Sequence, residues 1–318
     1  MRHSQGFTIA ELAVAAAILA LLLFGAMVPF SAQVEIRNVA DTRRTMDSIR
    51  EAIIGFAQAN GRLPCPANGN IASAIAGAGI EQFDGTSCVA AFGAFGVVPW
   101  VTLGTPETDA WGRRFSYRVS PAFADAIFRP SPPNPPGTLL ATWNTRAGAY
   151  TPPGPPPPTY LAQALSSPVS PGNQTPACDL TIAPTQSSFS LCTLGDITVF
   201  TRSSPGTAAV PLVSVIPAVV ISHGKNGYGA WQGSGIQVTL PPAGSDEAAN
   251  AAGNITTATG SYSTWTFYSR TPTSAASGCA DPAPPGGGGP PFCEFDDIVA
   301  TITTNALIAR LVAAGKLP

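Results

Sequence analysis

The chain has 318 residues, of which only 11% are charged, and 16 Lys and Arg against 18 Asp and Glu leave a formal net charge of −2. Without a global basic field, nothing draws in nucleic acid nonspecifically. With 33 prolines and 32 glycines the chain reads as loop-rich, and its length suits one large domain or two small ones.

The first element is an apolar run. After MRHSQG, residues 7–30 read FTIAELAVAAAILALLLFGAMVPF, with Glu11 the only charge. As a helix, at about 1.5 Å per residue, this run spans the roughly 30 Å of a bilayer's hydrocarbon. A secretory signal peptide or an ordinary membrane anchor is the plainer reading. Two features argue against it: the positive stretch before the run is minimal, and a carboxylate sits near the start of the run. A carboxylate in lipid is costly and marks a functional position with a partner. Cleavage after Gly6 supplies that partner by creating an α-amine on Phe7. The amine of a neighbouring copy then meets Glu11 in the apolar core of a filament. Arg2, ahead of the run, favours a cytoplasmic N-terminus in the inner membrane. The remainder of the chain is then expected in the periplasm.

The helix is expected to continue over residues 31–60. Val39, Met46, Ile49, Ile53 and Phe56 form an amphipathic stripe, while Arg37, Asp41, Arg43, Arg44, Asp47, Arg50 and Glu51 lie largely off it. Pro29 lies inside the helix and is expected to kink or locally melt it. Asn60-Gly61 is a stop signal, and Pro64 and Pro66 prevent resumption.

Residues 61–318 read as a β-rich head, α+β with the long helix, in which short strands alternate with Pro/Gly/Ser loops. Strands are expected at Phe115–Val119, Asp196–Thr201, Ala218–Ser222, Gly235–Leu240, Trp265–Ser269 and Phe295–Thr301, paired in an antiparallel sheet. A short helix is expected over 302–315. Residues 129–158 are dense in proline and are expected to be extended or disordered, and 281–291, DPAPPGGGGPP, to form a flexible loop. Six cysteines are present and none forms a CxxC. Sequence order suggests the local pairs Cys65–Cys88, Cys178–Cys192 and Cys279–Cys293, which imply an oxidising compartment. Free thiols or a zinc site are the alternative, but zinc ligands usually come as close pairs.

Gly6-Phe7-Thr8-Ile9-Ala10-Glu11 followed by an apolar helix resembles the prepilin cleavage and methylation motif of type IV pilins and type II secretion pseudopilins. The resemblance implies that a prepilin peptidase cuts between Gly6 and Phe7 and methylates the Phe7 amine, and that Glu11 is the assembly residue. It also implies a pilin-like fold and, as partners, other pilin or pseudopilin subunits, an assembly ATPase and an inner-membrane platform protein. In the head, Asp109-Ala110-Trp111-Gly112-Arg113-Arg114-Phe115-Ser116-Tyr117 is similar to the D-x-W-G-x-x-(Y/F)-x-Y segment of the major pseudopilin. Ser222-His223-Gly224-Lys225-Asn226-Gly227 is similar to that family's S-x-G-x-(D/N)-G turn. Residues 120–195 then look like an insertion. Trp111 and Tyr117 are read as core aromatics anchoring a hairpin.

In that family the loop after the turn binds calcium. Here the candidate ligands are Asn226, Asp246 and Glu247. Calcium takes six to eight oxygens and acid has been lost from this loop, so the expectation is a hydrogen-bonded structural loop without a cofactor. Asp296-Asp297, read as strand neighbours, point to opposite faces and do not grip one ion. Ser222-His223 suggests a nucleophile and its base, but triads are recognised by geometry rather than adjacency, and no GxSxG, HExxH or phosphate loop occurs. The reading is a non-enzymatic filament subunit, a minor pilin or pseudopilin. The alternatives are a filament-tip adhesin or binding module on the same scaffold, and an anchored periplasmic enzyme.

Overall fold

The computed structural model describes residues 8–85, 88–89, 95–124, 187–189, 191, 195–203, 206–252, 254–257, 263–279, 281 and 291–317, with only the backbone given at 21–32, 122, 254–257 and 263–264. In chain order the elements are α1 (Ile9–Asn60), β1 (Phe95–Val97), α2 (Trp100–Leu103), β2 (Ser116–Val119), α3 (Pro121–Ala124), β3 (Ile197–Thr201), β4 (Val210–Ile216), β5 (Ala218–Ser222), α4 (Asp246–Ala252), β6 (Asn254–Thr257), β7 (Ser263–Tyr268), β8 (Ile298–Ile302) and α5 (Thr304–Ala313).

Helix α1 begins at a capping box. The Glu11 N–H donates to the Thr8 hydroxyl oxygen at 3.3 Å, and the Thr8 N–H and O–H both donate to Glu11 Oε2 at 2.9 Å. The helix ends at Gly61, whose φ of 68° is a left-handed cap that glycine adopts at little cost. It is unbroken between these points, so Pro29 does not melt it. Met46, Ile49, Ile53, Ile54 and Ala57 are buried in the main core. Full burial of a side chain such as Met46, Ile49 or Ile53 is worth about 1.5–3 kcal/mol. Val39 and Phe56, at the ends of the expected stripe, are half-buried.

The first sheet has the order β1-β2-β5-β8, all antiparallel. Its central strands are covered on both faces, and β5 shows the alternation: Ala218 and Val220 join the α1 core, while Val219 and Ile221 join a second core with Ile197, Val199, Ile216 and Phe267. That second core belongs to a second sheet, ordered β4-β3-β7-β6. Here β3 and β7 run parallel, with Ile197 opposite Trp265 and Phe200 opposite Tyr268. The head is therefore not a single antiparallel sheet as expected. A parallel neighbour needs a crossover, and the chain between β3 and β7 makes it through β4, β5, α4 and β6. Arg118 ties the two layers together. Its guanidinium lies 3.9 Å from the Trp265 ring centre and 2.8 Å from Asp196.

Other expectations also change. Residues 235–240 are not a strand. Gly235 has a φ of 78°, and the segment folds back on 229–232 through one bridge, Trp231 with Gln237. Strands β1, β4 and β6 and helix α4 were not expected. Both borders of the supposed insertion at 120–195 sit in the core. Phe123 and Phe189 are fully buried with ring centres 4.6 Å apart. Residues 129–158, Cys178 and Cys192 lie outside the described residues. Cys65 is bonded to Cys88 and Cys279 to Cys293.

Candidate functional site

Two regions carry chemistry. The first is the start of α1. Gly6 and Phe7 lie outside the described residues. Glu11 turns its carboxylate back on Thr8, within its own first turn. Ile9, Leu12, Val14, Ile18 and Leu19 are exposed, Ile9 to 90%. Such a run of exposed apolar side chains is a surface that lipid or another chain must cover. Among the described residues no helix is long and apolar enough to cross a membrane. The side chains of 21–32, which continue the apolar run, are not among those described.

The second region is a carboxylate cluster in the head. Helix α4 is capped by Ser245, whose hydroxyl accepts from the Ala248 N–H at 3.1 Å. This places Asp246 and Glu247 in the first turn, where the helix dipole favours acids. The two diverge. Asp246 lies between Arg202 and Arg270, 3.0 Å from each. Glu247 faces the segment that leads into β8 and accepts from the Asp296 N–H at 2.8 Å. Asp296 and Asp297 precede β8 rather than lying in it, so strand alternation does not separate them. Ligand oxygens of Glu247, Asp296 and Asp297 lie within 4.8 Å of one another. The two aspartates therefore do not point to opposite faces, and Asp246 lies apart from this cluster.

The 223–227 turn organises this cluster. Gly227, at a φ of 65°, packs its open side against the Arg113 guanidinium, where a Cβ would collide. The Asn226 N–H donates to Asp296 Oδ2 at 2.8 Å, and its side-chain amide donates to the Glu247 carboxylate at 3.0 and 3.1 Å. Asn250 donates to Asp297 Oδ2 at 2.8 Å. Burial, then the charge of Asp297, pushes Glu247 up to about 9. Asp296 is raised to about 6, chiefly by burial. Asp296 Oδ1, Asp297 Oδ1 and His223 Nδ1 are buried with no hydrogen-bond partner among the described residues.

His223 does not work with Ser222. The Ser222 hydroxyl donates to Asp109 Oδ2 at 2.7 Å, and His223 Nε2 meets Ser116 Oγ at 2.8 Å. Ser116, His223 and Asp297 thus line up, but Ser116 is 3% and His223 0% exposed, which leaves this serine no route to a substrate. Asp109 organises its own turn, accepting from the Trp111 and Arg113 N–H groups at 2.9 Å each. Tyr117 is a core residue whose hydroxyl donates to the Pro64 carbonyl at 3.1 Å. Trp111 is only half-buried and lines a groove of about 600 Å³ between α1 and β8, together with Met46, Asp296, Asp297 and Val299.

Sequence reasoning missed Asp296, Asp297 and His223 as parts of one cluster. The only available signal was the adjacent acids themselves, since the fold alone brings them to α4.

Residues 1–27 match the family description of a prokaryotic N-terminal methylation motif. No curated protein and no solved structure matches the chain.

Proposed function

We propose that this chain, which carries a prepilin-type N-terminal methylation motif over residues 1–27, is a structural subunit of a type IV pilin-like filament, either a minor pilin or a pseudopilin. The observation that carries the reading is Glu11 in the first turn of a helix whose neighbouring apolar side chains are exposed. The sequence Gly6-Phe7-Thr8-Ile9-Ala10-Glu11 supports processing by a prepilin peptidase between Gly6 and Phe7. The apolar run of residues 7–30 stores the subunit in the inner membrane with its N-terminus cytoplasmic and its head periplasmic. Two bonded cysteine pairs in the head suit an oxidising compartment. Extraction exposes the run, and stacking against neighbours reburies it. A neighbour's Phe7 amine then replaces Thr8 as the partner of Glu11, because an unpaired charge in an apolar core is costly. An assembly ATPase and a platform protein in the inner membrane drive the step.

Five arginines of the head are taken up by the fold. Arg62, Arg114, Arg118, Arg202 and Arg270 sit in ion pairs with side chains at most 10% exposed. Such buried arginines serve the fold rather than a surface.

Intact mass of the membrane-extracted protein tests the reading. The expected mass lacks residues 1–6 and carries one added methyl group. A full-length mass in a strain with an active prepilin peptidase would overturn it.

A further inference from the structure

Strand β4 passes from the second sheet to the first through a strained corner. Among the described residues, Val215 is the one non-glycine residue with a left-handed backbone, at a φ of 54°. A β-branched side chain disfavours that conformation. The strand pairing shows why the chain adopts it. Ile197 pairs with Ile216, Val199 with Val213 and Phe200 with Pro211, so β4 carries an extra residue at two places. A common form of such a bulge puts glycine at the left-handed position, where β4 has valine. The strand is also thinly held. Val210, Leu212, Ser214 and Val215 are exposed, and among the described residues β4 pairs with β3 alone.

We propose that β4 is a strap latched at Val215 and released when helix α5 shifts. The inference holds whether or not the chain polymerises. Two donors hold the Val215 carbonyl in its strained position. The Gly195 N–H meets it at 3.0 Å and the Thr304 hydroxyl at 3.1 Å. Residue 195 must be glycine, because a Cβ there would collide with the Ile216 carbonyl. Thr304 opens α5, whose Leu307 and Leu311 share the main core with Ile49 and Ile53 of α1. The Gln58 amide of α1 also donates to the Arg310 carbonyl at 3.2 Å. A shift of α5 on α1 therefore draws the Thr304 hydroxyl off Val215.

With that donor gone, Val215 relaxes to an extended backbone and residues 213–215 bow outward on the slack of the two bulges. Both ends of the strap stay fixed. Ile216 is 1% exposed in the second core, and the Pro217 carbonyl accepts from the Ser120 N–H at 2.7 Å. At the other end the Arg202 guanidinium donates to the Thr207 carbonyl at 2.7 Å. Opening uncovers the hydrogen-bonding edge of β3. Val215 is thus a two-state element that α5 and β4 both bias, which is the physical requirement for coupling between them.

Hydrogen–deuterium exchange of the full-length processed protein in detergent, read by mass spectrometry, tests the strap. The slowest amides of residues 212–216 should exchange well ahead of those in β5 and β7. Val215→Asn relieves the strain, because asparagine tolerates the left-handed region, and should slow β4 exchange about tenfold. Val215→Gly should act in the same direction and stands as the second variant. Thr304→Ala should speed β4 exchange about fivefold through the loss of one hydrogen bond, with α5 beyond Leu307 unchanged. Thr304→Ser keeps the hydroxyl and should match the parent. Exchange of β4 as slow as that of β5 in the parent would overturn the strap. So would the absence of slowing in both Val215 variants. Thr304→Ala loosening α5 and β4 alike would make Thr304 an ordinary helix contact and overturn the latch.

Discussion

The side-chain amide of Asn226 donates to both carboxylate oxygens of Glu247, at 3.0 and 3.1 Å. One neutral residue thus compensates an acid that is buried beside two others, and it joins the 223–227 turn to the first turn of α4. Where a cation-binding loop would place another acid, this chain places a donor.

Asn226→Asp should therefore destabilise the head, because it removes the amide that donates to Glu247 and sets a further carboxyl group beside Glu247 and Asp296. Leaving a buried acceptor without its donor should cost about 1–3 kcal/mol. Thermal melts of the variant and the parent check it, and an unchanged melting temperature would contradict the account.

Glu11→Ala should abolish filament assembly while leaving the melting temperature of the head unchanged. Glu11 bonds only to Thr8 among the described residues and touches no part of the head. Immunoblotting of the sheared filament fraction, next to a melt of the solubilised protein, separates the two effects. Normal filament yield would contradict the assembly role.

Asp109→Asn tests the turn and gives a pH signature. Burial raises the Asp109 carboxyl from its usual 3.8, so the folded state holds its proton more tightly than the unfolded chain. The protonated acid's contribution is complete below the unfolded value and declines as pH rises through the higher folded value. The stability difference between Asp109→Asn and the parent should therefore change across the acidic range above 3.8. The variant replaces an acceptor of Ser222 with an amide, and because only the parent loses stability as pH rises, the variant's deficit should shrink toward neutral pH. Denaturant melts from pH 4 to pH 7 measure the slope, and a difference independent of pH would contradict the account.

Asp246→Ala should be among the most destabilising changes in the head. It leaves Arg202 and Arg270 buried, with side chains 9% and 1% exposed, and removes the oxygen each one meets at 3.0 Å. Breaking a buried pair from one side costs about 3–5 kcal/mol, although Asp281 still engages Arg270 at 3.2 Å. A loss below about 1 kcal/mol in chemical denaturation would show that this pairing is not structural.

Helix α1 and strand β5 were legible because their signals are local. The Ile49–Ile53 stripe and the Asn60-Gly61 stop specify α1 without reference to the rest of the chain, and Ala218–Ser222 reads as a strand from its β-branched run. What was illegible depends on contacts distant in sequence. Asp246–Ala252 reads as an acidic loop until Asp281 accepts from the Asp246 N–H at 2.7 Å and Ser245 caps the turn. Strand β4 contains Pro211 and bulges against β3, which masks its alternation. Asp296 and Asp297 were read with strand geometry, but the strand begins at Ile298, so the alternation rule was applied where it has no force. The parallel pairing of β3 and β7 could not be read from either strand alone.

Helix α1 shares its core with β2 and β5, which are themselves backed by the second sheet. No soft joint separates its outer half from the head. A pull or twist applied to the N-terminal end of that helix therefore reaches both sheets as one body, and the azimuth of the head is set wherever the helix is seated. In a screw-like assembly, each added copy would then display its outer surface at a fixed angular step from the last.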